Sequence, residues 1–195
     1  MKEQLQKDFY NSIKNLSLSQ KDIEIKKFCL DNFIDKGFPN KKEEDWKFSD
    51  LNQIIKNNIG ELSFYNDQTS TNKVDTSVFV DGLEHNKIVF INGRIEKIDF
   101  EYEKKDQIEI IDQSETINEF KNSNSLSDLN NAFTNKCFKI LVKKGYQFVK
   151  PLIIYHTTNS KIWSKNINLR LNFELDKDSS LRLVDLFNDT SEKNF

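Results

Sequence analysis

The sequence predicts an α+β fold, with a helical N-terminal region followed by a β-rich remainder. Apolar residues recur three or four positions apart over the first 60 residues, as they do on one face of an α-helix. From Val78 onward, short β-type runs and turn dipeptides replace that spacing. The segment 167–175 then alternates between apolar and polar residues, the period that places one face of a strand in a core and the other in water.

Three helices are predicted in residues 1–60. Their apolar faces carry, in turn, Leu5, Phe9, Ile13 and Leu16; Ile25, Phe28, Cys29 and Phe33; and Leu51, Ile54, Ile55 and Ile59. Ser19 is expected to cap the second helix because its hydroxyl accepts hydrogen bonds from first-turn amides, and Asp22 completes the pattern. Gly37 and Pro39 are expected to end that helix. The third helix is expected to begin with Ser49 as its cap and to end at Gly60.

The middle of the chain is predicted to be mixed. Residues 61–76 are rich in Asn, Asp, Ser and Thr and are interpreted as a mobile linker. Strands are expected at 78–80, 88–91 and 108–111, with turns at Asp81-Gly82 and Asn92-Gly93, because Gly tolerates positive φ. One or two short helices are expected to carry Ile117, Phe120, Leu126, Leu129, Ala132 and Phe133.

The last third is predicted to be all β. Strands at 138–142, 152–155, 167–175 and 181–187 follow at short, fairly regular intervals, which indicates a sandwich or the opening rungs of a β-solenoid. The predicted organisation is therefore a helical region (1–60), a linker (61–76), mixed short strands and helices (77–135) and first β rungs (136–195). Because Phe195 follows a strand without a terminal helix to cover it, the chain is expected to be truncated.

Composition excludes several classes of function. The 29 Lys+Arg and 31 Asp+Glu give a formal net charge of −2, which argues against a nucleic-acid clamp or binding to an anionic membrane. The mean hydropathy is −0.68, and no apolar run approaches the roughly 20 residues that a membrane span needs. The N-terminus has no apolar stretch of the signal-peptide type, so a cytoplasmic location is predicted.

No catalytic, cofactor-binding or metal-binding constellation is evident in the sequence. His85 is interpreted as an exposed loop residue, and His156, at the end of an apolar strand, as either a rim histidine or a hydrogen-bonded strand histidine. Cys29 is expected to behave as a small buried hydrophobe. Cys137 is interpreted as structural, with a lowered thiol pKa beside Lys136 as the less favoured alternative.

Trp46 and Phe48 follow the charged run 41–45 and are interpreted as anchors for packing. The other Phe residues fall mostly at core-periodic positions, which favours burial over sugar stacking.

Four ordered segments resemble the SufD family of iron-sulfur cluster assembly proteins. The first is a turn, Gly37-Phe38-Pro39, followed by Lys42, Glu44, Asp45, Trp46, Lys47, Phe48, Ser49 and Leu51, which is similar to a K-x-E-D-W-K-Y-T-x-L signature. Phe48 and Ser49 stand where Tyr and Thr are usual. The others are Val89 to Arg94, with its Asn-Gly turn; Leu129-Asn130-Asn131-Ala132-Phe133; and Ile140 to Gly145 with Lys150-Pro151-Leu152-Ile153-Ile154. The Glu-Asp-Trp-Lys sequence favours SufD over its paralogue SufB.

This resemblance implies a helical N-terminal region followed by the start of a right-handed parallel β-helix. It implies a non-catalytic scaffold that pairs with a SufB-like subunit and a SufC-like ABC ATPase, with SufS and SufE as sulfur donors. The complex assembles the iron-sulfur cluster, and no cofactor is expected to be bound by this segment. The family's SufC-binding helices and cluster-proximal residues are expected beyond Phe195.

Two other hypotheses stay open at the level of sequence. A free-standing β-solenoid or sandwich could bind carbohydrate through aromatic residues around Trp163. An enzyme would require His85 or His156 to find a carboxylate or thiol partner in space.

Overall fold

The computed structural model describes residues 2–14, 16, 18–58, 63–64, 73–113, 124–158 and 165–189. Its helices are α1 (Lys2–Ile13), α2 (Gln20–Lys36), α3 (Leu51–Asn58) and α4 (Ser125–Phe133). Its strands are β1 (Asn86–Ile91), β2 (Arg94–Asp99), β3 (Ile108–Asp112), β4 (Lys136–Val142), β5 (Leu152–Thr158), β6 (Leu169–Leu175) and β7 (Leu183–Asp189). The predicted α+β class is confirmed. No helix among these residues combines the length and apolar character needed to cross a bilayer.

Helix α2 begins and ends where the sequence predicts. The Ser19 hydroxyl accepts from the Asp22 amide at 3.2 Å, and the Asp22 carboxylate accepts from the Ser19 amide at 3.3 Å. This reciprocal capping box satisfies amides that have no partner within the helix. At the other end Gly37 has φ +71° and its amide donates to the Phe33 carbonyl at 2.7 Å.

The predicted cap of α3 is wrong by one residue. The Asp50 carboxylate, rather than the Ser49 hydroxyl, accepts from the Gln53 amide at 3.0 Å. Asp50 lies immediately before the first helical residue, Leu51, which is the position from which a side chain reaches the free amides of the first turn.

Helices α1, α2 and α4 share one hydrophobic core. Its buried members are Leu5, Phe9, Cys29, Leu30, Phe33, Phe38, Phe64, Ala132 and Phe133. Phe28, which was predicted on the same face, is instead 64% exposed. Phe64 lies in the segment interpreted as a linker, yet its ring stacks on Phe133 with centroids 3.5 Å apart. The rest of 61–76 before Lys73 lies outside the described residues, as do Ile59, Gly60, Ile117 and Phe120.

A buried lysine joins α2 to the end of α4. The Lys26 ammonium donates to the carbonyls of Asn131 (3.3 Å), Ala132 (3.4 Å) and Thr134. Carbonyls at a helix C-terminus have no partner within the helix, and a cation also interacts favourably with the helix dipole there. Burial opposes the charge and lowers the pKa of Lys26 to about 8, against an ordinary 10.5.

The strands form two sheets, ordered β2-β1-β5-β7 and β3-β4-β6. The β1–β2 hairpin closes at Asn92-Gly93, as predicted, with φ of +52° and +79°. The β1–β5, β5–β7 and β4–β6 pairs are parallel. From β4 to β7, consecutive strands alternate between the two sheets. In this stretch β4 therefore pairs with β6, and β5 pairs with β7.

The two sheets enclose a second hydrophobic core. Its buried members are Ile88, Phe90, Phe100, Ile108, Phe138, Ile140, Val142, Phe148, Leu152 and Ile154. Paired parallel strands point equivalent residues to the same side, so Ile140 pairs with Phe173, 33 positions later, and both belong to this core. The turns stack as well, because Gln147 bridges in parallel to Ser180.

The predicted strand at 78–80 is wrong. Thr76–Val78 forms a 3₁₀ turn that begins with the Asp75 carboxylate accepting from the Ser77 amide at 2.9 Å. Phe79 then packs on the outer face of the four-stranded sheet, where its ring lies 4.9 Å from that of Tyr155. A strand was also missed at β2, because its apolar positions are interrupted by charged residues and it is only half-buried.

A buried carboxylate ties two loops of the β region to the start of β1. Glu103 accepts from the Asn86 side-chain amide (2.7 Å), the Tyr146 hydroxyl (2.7 Å) and the backbone amides of Val149 (3.1 Å) and Lys150 (3.0 Å). Burial by itself raises the pKa of Glu103, but these hydrogen bonds outweigh it and hold the pKa below its ordinary 4.5. The charged form of Glu103 is therefore the one the fold stabilises.

We expect Glu103→Gln to lower the free energy of unfolding at pH 7 by about 2 kcal/mol, because charge-assisted hydrogen bonds are lost. A group whose pKa is lowered by folding stabilises the fold above its ordinary pKa and loses that effect as the pH falls. The difference from wild type should therefore shrink below pH 4.5 in urea denaturation. Glu101→Gln, at an exposed neighbour, should show little difference at either pH. A difference that is absent at pH 7, or constant with pH, would contradict this role.

Candidate functional site

The two sheets end together at strands β6 and β7, which we call the β6/β7 edge. Both strands are terminal in their sheets, so each has a hydrogen-bonded neighbour on one side only within the described part of the chain. A strand edge of this kind presents backbone N–H and C=O groups to which a further strand can bind.

Apolar side chains that continue the core are exposed along this edge. Leu183 pairs with the fully buried Leu152 and is 43% exposed, and Leu175 pairs with the buried Val142 and is 48% exposed. Phe187 continues the row of Phe90 and is 75% exposed. Within the described residues, the core rows therefore reach the edge with their last side chains exposed, as on a surface suited to burial against other β structure.

A cleft of about 630 Å³ opens beside this edge. Its walls are Phe90, Gly93, Asn130, His156, Thr157, Thr158, Lys165, Asn166, Ile167, Leu169, Leu171, Asp185, Phe187 and Asn188. A Cβ at Gly93 would lie 2.5 Å from the Ile167 side chain, so only glycine fits this close approach. The volume lies in the range of small-molecule sites, and the walls carry few charged groups.

His156 lines the cleft and lies between two other rings in a stacked row. Its imidazole lies nearly parallel to Phe90 and Phe187, with centroid distances of 5.2 and 4.5 Å. Its Nε2 lies 2.8 Å from an Asp185 carboxylate oxygen. The alternative of a hydrogen-bonded strand histidine agrees with this geometry, because His156 lies within β5.

The His156–Asp185 pair meets one requirement of the enzyme hypothesis, a carboxylate partner. No sequence pattern predicts this pair, because the two residues are 29 positions apart and meet only through the β5–β7 register. A carboxylate can orient an imidazole, but acyl transfer also needs a nucleophile. Among the described wall residues the hydroxyls belong to Thr157 and Thr158, and that of Thr157 donates to the Phe90 carbonyl at 3.1 Å.

His85 was predicted to lie in an exposed loop, and this is wrong. It is 3% exposed, with Nδ1 2.6 Å from the Leu83 carbonyl and Nε2 2.7 Å from the Tyr155 hydroxyl. That hydroxyl accepts from the Val80 amide at 3.1 Å and can donate to Nε2. His85 therefore fastens the segment before β1 to the sheet.

Both cysteines are free thiols, of which Cys29 is buried and Cys137 is partly buried. Cys29 is buried in the helical core, and burial raises the pKa of its thiol to about 11. Burial also raises the pKa of the Cys137 thiol, although the nearby Arg170 acts in the opposite direction. The alternative of a lowered pKa at Cys137 is therefore wrong. Within the described residues no three His, Cys, Asp or Glu side chains are grouped so as to hold a metal ion.

The packing role predicted for the Trp46 and Phe48 rings is overturned for Phe48. Phe48 is 90% exposed, and its ring lies under the Lys47 ammonium at 5.2 Å. Trp46 sits in a 3₁₀ turn, Glu44–Trp46, and is half-buried. Trp163, at the centre of the carbohydrate hypothesis, lies outside the described residues.

Comparison with models of known protein families gives no match to this chain, and comparison with curated proteins gives none.

We expect Trp46→Ala to lower the free energy of unfolding by about 1.5 kcal/mol, roughly half the cost for a fully buried ring. Phe48→Ala should change it by less than about 0.5 kcal/mol, because its ring is in water. Phe33→Ala, which removes a ring that is 1% exposed, should cost about 4 kcal/mol. Urea denaturation of the three variants tests this order, and a Phe48→Ala loss as large as that of Phe33→Ala would refute it.

When this chain is purified without a partner, we also expect it to self-associate through the β6/β7 edge. The double substitution Leu183→Lys and Phe187→Lys should raise the dissociation constant about tenfold or more, because charge replaces apolar contact area. Sedimentation equilibrium over a range of concentrations measures this constant. Phe28→Lys provides the matched control, since Phe28 is similarly exposed but lies on α2. Equal effects of the control and the double variant would show that the edge is not the contact.

Proposed function

We propose that this chain belongs to a non-catalytic scaffold subunit of a SUF-type iron-sulfur cluster assembly complex, resembling SufD. The observation that carries the proposal is that core rows pass from one parallel strand to the next and, among the described residues, leave apolar side chains exposed at the β6/β7 edge. A surface of this kind favours a role in assembly over that of a free-standing module. The choice of the SufD family rests on the resemblance of the four sequence segments described above.

The finer fold in this proposal is the start of a right-handed parallel β-helix. The alternation of β4 to β7 between two sheets, with parallel pairing 33 and 31 positions apart, supports successive rungs. Right-handed connection between parallel strands of one sheet is the strongly preferred hand for L-amino acids. The β1–β2 hairpin forms the end of the four-stranded sheet away from β7, and the antiparallel strand β3 forms the end of the three-stranded sheet away from β6.

The segments of the proposed family signature lie in distinct parts of the fold. The turn at Gly37 ends α2, and the charged run leading to Trp46 forms an exposed loop before α3. The Asn-Gly turn closes the β1–β2 hairpin, and Leu129 to Phe133 is the last part of α4. Lys150-Pro151 leads directly into β5. Each of these segments thus lies at the start or the end of an element.

In this proposal the subunit acts by binding its partner subunits and not by catalysing a reaction. Its partners are a SufB-like subunit, which pairs along the β-helix, and a SufC-like ABC ATPase, with SufS and SufE delivering sulfur to the complex. The location is cytoplasmic. The cluster is the product of the complex, and we assign no cluster ligand among Cys29, Cys137, His85 and His156. The raised pKa values of both thiols support that choice, because thiolates are the form that binds iron.

Affinity purification of the native protein from its own cells tests the proposal. Tagged protein is isolated under mild conditions, and intact masses are read for it and for every copurifying chain. We expect a SufB-like subunit and an ABC-type ATPase in stoichiometric amounts. An equally abundant cytoplasmic protein with the same tag controls for non-specific capture. Recovery of the protein alone, or with unrelated chains at control levels, would contradict the scaffold function.

A further inference from the structure

We draw no further inference here: the strongest candidate, the β6/β7 edge with the cleft beside His156 and Asp185, belongs to the surface already described, and nothing in the structure shows what covers it.

Discussion

In-register parallel pairing is the constraint on which the β region depends. Parallel partners point to the same side of a sheet, so each inward residue lies over its equivalent in the next strand. This places Phe90, His156 and Phe187 in one stack of rings, and joins Ile140 to Phe173 in another row. A shift by one residue would turn every apolar side chain of a strand to the opposite face, so burial of these rows fixes the register. Where these rows end at β6 and β7, their apolar side chains are exposed within the described part of the chain.

The helical region contacts the β region through partly buried polar groups and one aromatic ring. Lys26 binds the carbonyls at the end of α4, immediately before β4 begins, so it fixes the position at which helix changes to strand. The Arg170 guanidinium, on β6, donates to the Asn131 side chain of α4 at 2.9 Å. Phe64 adds an apolar link, because it stacks on Phe133 and bridges in parallel to Asn166. These contacts join the helical region to the β region, although their two hydrophobic cores remain separate clusters.

Local signals in the sequence predicted the elements well, whereas contacts distant in sequence escaped prediction. Ser19 and Gly37 marked the ends of α2, and Asn92-Gly93 marked a hairpin, because caps and turns depend on residues a few positions apart. Burial of His85 depends on Tyr155, 70 positions away, and the His156–Asp185 pair depends on the β5–β7 register. Phe48 failed for another reason: an aromatic residue beside a helix start predicts packing only if a neighbouring element covers it, and none of the described elements does.

The parallel register of β4 and β6 is the central claim, and a disulfide-trapping experiment tests it most directly. In a Cys29→Ala, Cys137→Ala background, Leu141→Cys is combined either with Glu174→Cys, its direct partner, or with Asn172→Cys, two positions away. Direct partners lie about 4.8 Å apart, within the reach of a disulfide, whereas the shifted pair lies about 8 Å apart and beyond its limit near 7 Å. Under mild oxidation we expect rapid crosslinking of the 141–174 pair and little of the 141–172 pair. Equal rates, or a faster 141–172 pair, would contradict the parallel β4–β6 pairing.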